Sequence, residues 1–186
     1  MKNIIFVVGS TRKNSFNLQL AKIVEEKLKE KVCVSYLNFS QVPFFNQDTE
    51  FPTPQSVSDV RKVISNSDGL WIFSPEYNQS YPGYLKNLLD WLSRPIEQNN
   101  YASGNVIKGK KITISGVSGK SAAANSRKKL SELLIYLQTD LCYGEGVGIA
   151  LDGKAFSTDI LTISSESNEK LTKQIDFFLN FIGNSI

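Results

Sequence analysis

Histidine is absent from the 186 residues, and cysteine occurs only twice, as Cys33 and Cys142. The absence of histidine excludes Ser-His-Asp and Cys-His nucleophilic catalysis and the usual imidazole general base. It also removes the commonest zinc ligand, and the two cysteines form no C-x-x-C pattern. We therefore expect neither a metal site nor a disulfide framework.

Long apolar runs and a strong charge bias are also missing. The first apolar run covers residues 4–8, which is too short for a signal peptide, and no run approaches membrane-spanning length. The formal net charge is only +3, and acidic residues lie among the basic ones, whereas nucleic-acid binding needs a denser basic stripe. We therefore expect a cytoplasmic protein that binds neither membranes nor nucleic acid.

The chain does contain a regular alternation of strand and helix patterns. Short apolar, β-branched or aromatic runs predict strands at residues 4–8, 32–37, 70–73, 111–115 and within 141–150. Because amphipathic helical patterns follow these runs, the alternation predicts a parallel sheet with helices on both faces. We predict one flavodoxin-like α/β domain over residues 1–186, with five strands in the order 2-1-3-4-5. Cys33 and Cys142 then lie near opposite edges, so we expect both as free thiols.

In this topology a ligand is expected outside the carboxyl ends of the strands, at the switch point between the first and third strands. The loop over residues 9–17 is dense in hydroxyl and amide side chains, includes Arg12, and ends at a helix N-terminus. Such a loop favours an anion such as a phosphate. The alternative is an ordinary polar turn in which Asn14 or Ser15 caps the helix.

Two other nucleotide motifs are excluded by spacing. Gly9 has no glycine partners for a G-x-G-x-x-G fingerprint, which argues against a dinucleotide cofactor. Gly119-Lys120-Ser121 looks like the end of a P-loop, but Ile114 occupies the position where that motif needs a glycine.

The loop over residues 74–83 has prolines near both ends and mixes aromatic, amide and carboxyl side chains. It is either a rigid strand-to-helix connection or a segment that places backbone N–H groups along the polar edge of a flat heterocycle. A small-residue loop is expected at residues 115–121.

Two motifs in these loops resemble the NADPH-dependent FMN reductase family, which includes quinone, azo-dye and chromate reductases. They are Gly9-Ser10-x-Arg12-x-x-Ser15-x-Asn17 and Pro75-Glu76-Tyr77-Asn78-x-Ser80-x-Pro82-Gly83-x-Leu85-Lys86-Asn87-x-x-Asp90-Trp91. The resemblance implies that FMN is the cofactor and NAD(P)H the co-substrate. It also implies a homodimer or homotetramer, with Tyr81, Tyr84 and Trp91 as candidates for the subunit interface, although Trp91 fits the core equally well.

The resemblance also assigns cofactor-binding residues. It implies that the FMN phosphate is held by Ser10, Arg12, Ser15 and Asn17, with Phe16 in the same loop. It implies that the isoalloxazine and ribityl chain are lined by Pro75, Glu76, Tyr77 and Asn78, and that the other side is closed by Ser115, Gly116 and Ser118.

The expected activity is the passage of two electrons from NAD(P)H to a small acceptor by a ping-pong scheme. The flavin supplies the redox chemistry, so no side chain has to be catalytic. Two alternatives remain: a flavodoxin-type electron carrier that docks on a partner protein, and a flavin-binding regulatory or scaffold protein.

Overall fold

The computed structural model describes residues 1–183, and within them all strand pairs of the sheet are parallel. The strand order is β2-β1-β3-β4-β5, and a further segment, β6, also pairs with β4. This confirms the predicted flavodoxin-like order. The strands are β1 (Asn3–Val8), β2 (Cys33–Tyr36), β3 (Gly69–Phe73), β4 (Lys111–Ser118), β5 (Asp140–Leu141) and β6 (Val147–Ala150).

The predicted fifth strand is divided into two segments. β5 pairs with the start of β4, at Lys111 and Ile112, and β6 pairs with its end, from Ser115 to Ser118. Between them Gly146 has a φ of +67°, and a Cβ there would lie 1.7 Å from the carbonyl oxygen of Ile114. Only glycine tolerates both conditions, so the strand is interrupted at that point.

Helices cover both faces of the sheet, as predicted. α5 was not expected from the sequence, and it follows directly after the last strand. The helices are α1 (Phe16–Leu28), α2 (Gln55–Ser65), α3 (Gly83–Leu92), α4 (Ala124–Tyr136), α5 (Gly153–Thr158) and α6 (Ser165–Phe181).

Alternate strand residues supply the cores on the two faces. In β1, Phe6 belongs to the core that packs under α1 and α6, whereas Val7 belongs to the core under α2, α3 and α4. In β3, Trp71 and Ile72 divide in the same way. Strands buried on both faces explain why the sequence shows continuous apolar runs.

The α3 half of the longer motif holds the irregular segment 41–54 against this helix. The Asn87 side chain accepts a hydrogen bond from Phe45 N (2.7 Å) and donates one to Pro43 O (2.8 Å). Trp91 Nε1 also donates to Pro43 O, and Trp91 is fully buried. Trp91 is therefore a core residue, which decides the alternative that the sequence left open.

Cys33, on the edge strand β2, is exposed, and Cys142, just after β5, is buried; both are free thiols. Among residues 1–183, no helix has the length and apolar character needed to cross a bilayer. Within the same residues, His, Cys, Asp and Glu side chains form no cluster of three or more that suits a metal ion.

Candidate functional site

A cavity of about 420 Å³ lies at the carboxyl ends of β1, β3 and β4, at the switch point of the sheet. Its volume is in the range of small-molecule sites. Most of the predicted cofactor-binding residues line it, and the exceptions are Asn78, Ser115 and Gly116. The lining residues are Ser10, Arg12, Ser15, Phe16, Asn17, Pro75, Glu76, Tyr77, Val117, Ser118, Gly119, Leu151, Phe156 and Asp159.

One end of the cavity is formed by the N-terminus of α1. Ser15 caps this helix, and its Oγ accepts a hydrogen bond from Leu18 N at 3.1 Å. Within the described residues, the backbone N–H groups of Phe16 and Asn17 have no hydrogen-bond acceptor. Free N–H groups and the helix dipole favour an anion at this end, and the Ser10 hydroxyl and Arg12 guanidinium lie beside it.

Arg12 has intramolecular partners in this structure. Its guanidinium lies over the Phe16 ring, with 5.2 Å between Cζ and the ring centroid, and Nη2 donates to Asp159 Oδ1 at 2.5 Å. The hydrogen bond raises the pKa of Arg12, and the same bond, with one from Asn14, lowers the pKa of Asp159. The cation of the anion-binding end is therefore paired with a carboxylate that also lines the cavity.

The Asn17 side chain bonds the protein backbone, whereas the resemblance implied that it holds the FMN phosphate. Its side-chain amide donates to Val117 O at 3.1 Å and accepts from Val117 N at 3.0 Å, and both residues are buried. The amide is thus committed to the backbone of β4. In this structure it joins α1 to the strand and fixes one wall of the cavity.

Glu76 is likewise committed to the protein. Its carboxylate accepts hydrogen bonds from Asn125 N (2.8 Å), Ser126 N (3.1 Å) and Ser121 Oγ (2.9 Å), so it caps α4 from another part of the chain. Burial acts to raise the pKa of Glu76, but these hydrogen bonds outweigh it and lower the pKa. Glu76 therefore holds the second loop and the start of α4 together.

Tyr77 lies at the cavity mouth on a tight turn. The backbones of Tyr77 and Ser80 exchange hydrogen bonds, and the intervening Asn78 and Gln79 have φ values of 49° and 60°. This geometry places Asn78 at an exposed turn tip outside the cavity. The Tyr77 hydroxyl lies 3.5 Å from Ser10 Oγ, which connects the first and second loops.

The third loop begins later than the sequence suggested, because β4 continues to Ser118 by pairing with β6. Ser115 is fully buried and bonds Trp71 and Gln174, on the side of α6. At Gly116 a Cβ would lie 2.6 Å from Ser74 O, just after β3, and 2.8 Å from Ala123 Cβ, at the start of α4. Ser115 and Gly116 therefore support the cavity from behind, and Ser118 reaches it.

A wall that sequence reasoning missed comes from residues 151–161, which we call the strap. It includes α5 and contributes Leu151, Phe156 and Asp159 to the cavity. Asp152 caps α5, with Oδ1 accepting from Ala155 N at 2.7 Å, and an Asp-Gly pair before a helix is a readable start signal. Val117 and Gly119 also line the cavity; both lie within the predicted loop 115–121 but outside the predicted set of binding residues.

A doubly wound parallel sheet with this cavity defines a flavodoxin-like protein with a site for an anionic, partly apolar ligand. The donor set fits FMN, since a cation and free helix N–H groups suit its phosphate and the apolar faces of Phe156 and Leu151 suit its ring. The description of the matching family model is NADPH-dependent FMN reductase, and the match covers residues 1–142. The chain belongs to this family, so it is an NAD(P)H-dependent flavoenzyme with FMN as its cofactor.

Full-length relatives agree with this assignment. The chain is 30% identical to a 2-hydroxy-1,4-benzoquinone reductase of a Burkholderia species over 180 residues, covering 96% of this chain and 95% of that protein. It is 29% identical to a quinone reductase of Escherichia coli (strain K12), with 96% and 94% coverage. The flavoenzyme FerB of Paracoccus denitrificans, an NAD(P)H:(acceptor) oxidoreductase, superposes with a TM-score of 0.84 at 29% identity, covering 98% of this chain and 97% of its own.

Proposed function

We propose that the chain reduces small quinones with two electrons from NAD(P)H, in two half-reactions that use the same open cavity. FMN, when bound, would supply the two-electron redox chemistry. Quinones are favoured among the small acceptors because two relatives that each cover 96% of the chain are named for quinone substrates. Azo compounds, free flavin and metal oxyanions are the alternative acceptors.

The observation that carries this proposal is the composition of the cavity. An arginine, serine hydroxyls and free helix N–H groups line the cavity together with the apolar faces of Tyr77, Phe156 and Leu151. Tyr77 and Phe156 are largely exposed, so the cavity is open enough for planar substrates to enter and leave in turn.

We assign roles to the side chains on the same basis. Ser10, Arg12 and the N-terminus of α1 bind the phosphate of FMN, and Pro75 and Tyr77 lie along its ring system. Asn17 and Glu76 position these groups through Val117 and α4, as their hydrogen bonds indicate. No side chain is assigned an acid or base role.

Steady-state kinetics test the proposal. Initial rates with NADH and NADPH should be measured against a panel of a benzoquinone, an azo dye, free flavin and chromate. A ping-pong scheme predicts parallel double-reciprocal lines. The proposed acceptor class predicts the highest kcat/KM for the quinone. Intersecting lines, or a preference for another acceptor, would contradict the corresponding part of the proposal.

Rapid mixing with NAD(P)H alone separates an enzyme from an electron carrier. Bleaching of the flavin absorbance within seconds, without another protein, is the expected result. A flavin that remains oxidised until a separate reductase is added would instead identify a carrier.

We also propose that the chain is a cytoplasmic homodimer or homotetramer. The free thiols suit a reducing compartment. Phe44, Ile96 and Tyr101 are exposed apolar side chains on segments that the Glu50–Arg94 ion pair joins, which suits a subunit contact. Sedimentation equilibrium tests the association directly, and a monomer at micromolar concentration would contradict it.

A further inference from the structure

Besides the Arg12–Asp159 ion pair, contacts that involve no charge hold the strap against α1. Gln19 Nε2 donates to the backbone carbonyl of Asp159 at 3.0 Å, and Gln19 Oε1 accepts from Leu161 N at 2.8 Å. Phe156 packs edge-on against Phe16, with ring centroids 6.4 Å apart. The backbone of the strap is therefore fixed independently of the Asp159 side chain.

The Asp159 carboxylate reaches into the anion-binding end of the cavity. Its Oδ1 accepts from Arg12 Nη2 at 2.5 Å, and its Oδ2 accepts from Asn14 Nδ2 at 2.7 Å. Arg12 Nη2 also donates to Asn14 O at 2.6 Å. A carboxylate thus occupies a position beside Arg12 that a phosphate oxygen would need in order to bind there.

The hydrogen-bond donors of Arg12 that a phosphate would need are already in use. Nη2 carries two N–H groups, and both are in use, one on Asp159 and one on Asn14. Each two-donor edge of a guanidinium, Nε with Nη2 or Nη1 with Nη2, includes Nη2. Bidentate pairing of Arg12 with a phosphate therefore requires Nη2 to release one of its present partners.

Asp159 is the partner that can leave at low cost. The Arg12 and Asp159 side chains are 50% and 42% exposed, and an exposed ion pair contributes little net stability. Because Gln19 holds the strap through its backbone, Asp159 can turn away without opening the strap. The Asn14 carbonyl, in contrast, is part of the loop itself.

We propose that the Asp159 carboxylate and the cofactor phosphate compete for Arg12. This competition sets how strongly the site prefers a phosphorylated flavin. This inference rests on the proposed role of Arg12 as phosphate ligand. A second effect has the same sign, because a carboxylate beside a bound phosphate repels it. Asp159 therefore lowers affinity for FMN and leaves affinity for riboflavin, which has no phosphate, unchanged.

The test measures flavin affinity of the full-length apoprotein by fluorescence titration with FMN and with riboflavin. Asp159→Asn removes the charge, and Asp159→Ala removes the acceptor as well. Both should tighten FMN binding roughly three- to tenfold, the scale of one exposed charge acting on a nearby phosphate. Riboflavin binding should change less than about twofold, which also confirms that the variants are folded. Asp48→Asn, an exposed change of equal charge on segment 41–54, should alter neither affinity.

Weaker or unchanged FMN binding in both Asp159 variants would overturn the inference, because it would make Asp159 a support that orients Arg12 or a bystander. In the Arg12→Ala background the gain from Asp159→Asn should shrink, since no guanidinium remains to be exchanged. Failure of the proposed function gives a different result: wild-type protein that binds FMN no better than riboflavin, with Arg12→Ala affecting both equally.

Discussion

Asn17 and Val117 are joined by a reciprocal pair of hydrogen bonds between a side-chain amide and a backbone peptide group. β3 pairs with β4 only as far as Ser115, so Val117 lies beyond the end of the neighbouring strand. The Asn17 amide takes the place of the missing strand and satisfies both polar groups of Val117. The first loop is thereby fixed relative to the edge of the sheet that forms the cavity.

Asn17→Ala should lower the free energy of unfolding by about 2–4 kcal/mol, because it leaves the buried N–H and C=O of Val117 unpaired. Urea unfolding of the apoprotein measures this. Asn180→Ala, an exposed asparagine on α6, is the control and should change stability by less than about 0.5 kcal/mol. A similar small change at Asn17 would mean that water replaces the amide freely.

Arg12→Ala should weaken FMN binding roughly tenfold to a hundredfold, the scale of a hydrogen bond to a charged group, while riboflavin affinity stays the same. Equilibrium titration of the apoprotein with both flavins is the measurement. The neighbouring cation Lys13 is exposed and does not line the cavity, so Lys13→Ala serves as the matched control. Equal loss for both flavins in Arg12→Ala would show that the phosphate binds elsewhere.

Glu76→Gln should destabilise the apoprotein at neutral pH by about 0.5–2 kcal/mol, the range for loss of a helix cap. Because the pKa of Glu76 is lowered in the folded state, its contribution is present above the ordinary glutamate pKa of about 4.3 and is lost as the pH falls through the folded-state pKa. The difference in Tm between wild type and Glu76→Gln should therefore shrink on acidification.

Glu132→Gln, exposed later on α4, is the matched control for this pH series and should follow the wild type throughout. If the Tm deficit of Glu76→Gln does not change with pH, the loss of stability comes from altered side-chain packing and not from the lost charge.

Gly116→Ala should destabilise the protein by about 1–3 kcal/mol, since the added Cβ would lie 2.6 Å from Ser74 O and 2.8 Å from Ala123 Cβ. Gly153→Ala is the paired control, because a Cβ there meets nothing within 4 Å at the start of α5. That variant should be neutral or more stable by up to about 1 kcal/mol. Thermal unfolding of both variants measures the contrast, and equal Tm shifts would contradict the close packing of α4 on β4.

The strand order and two of the three site loops could be predicted from the sequence, because parallel sheets put their binding loops at fixed ends of known strands. Ser10, Arg12 and Tyr77 line the cavity for this reason. Their chemical partners could not be predicted, because those depend on tertiary packing. Asp159, for example, meets Arg12 across 147 positions of the chain, and no local pattern records such a pair.

The third loop was misplaced for a different physical reason. Gly116 and Ser118 are poor strand formers in isolation, and they extend β4 only because β6 offers them a pairing partner. Within β4, the Ser115 side chain bonds Trp71 and Gln174. Ser115, which the resemblance assigned to the binding site, is thus a buried connection between the sheet and α6.

The strap and the first two loops, which together line the cavity, come from different parts of the chain. The family match ends at residue 142, and the wall made by Leu151, Phe156 and Asp159 lies entirely after it. That wall meets α1 through Gln19 and Phe16, while the sheet beneath keeps its own hydrogen bonds. The mouth of the cavity is consequently shaped by two distant parts of the chain: the loops that follow β1 and β3, and a segment after the last strand that also places Leu161 in the core.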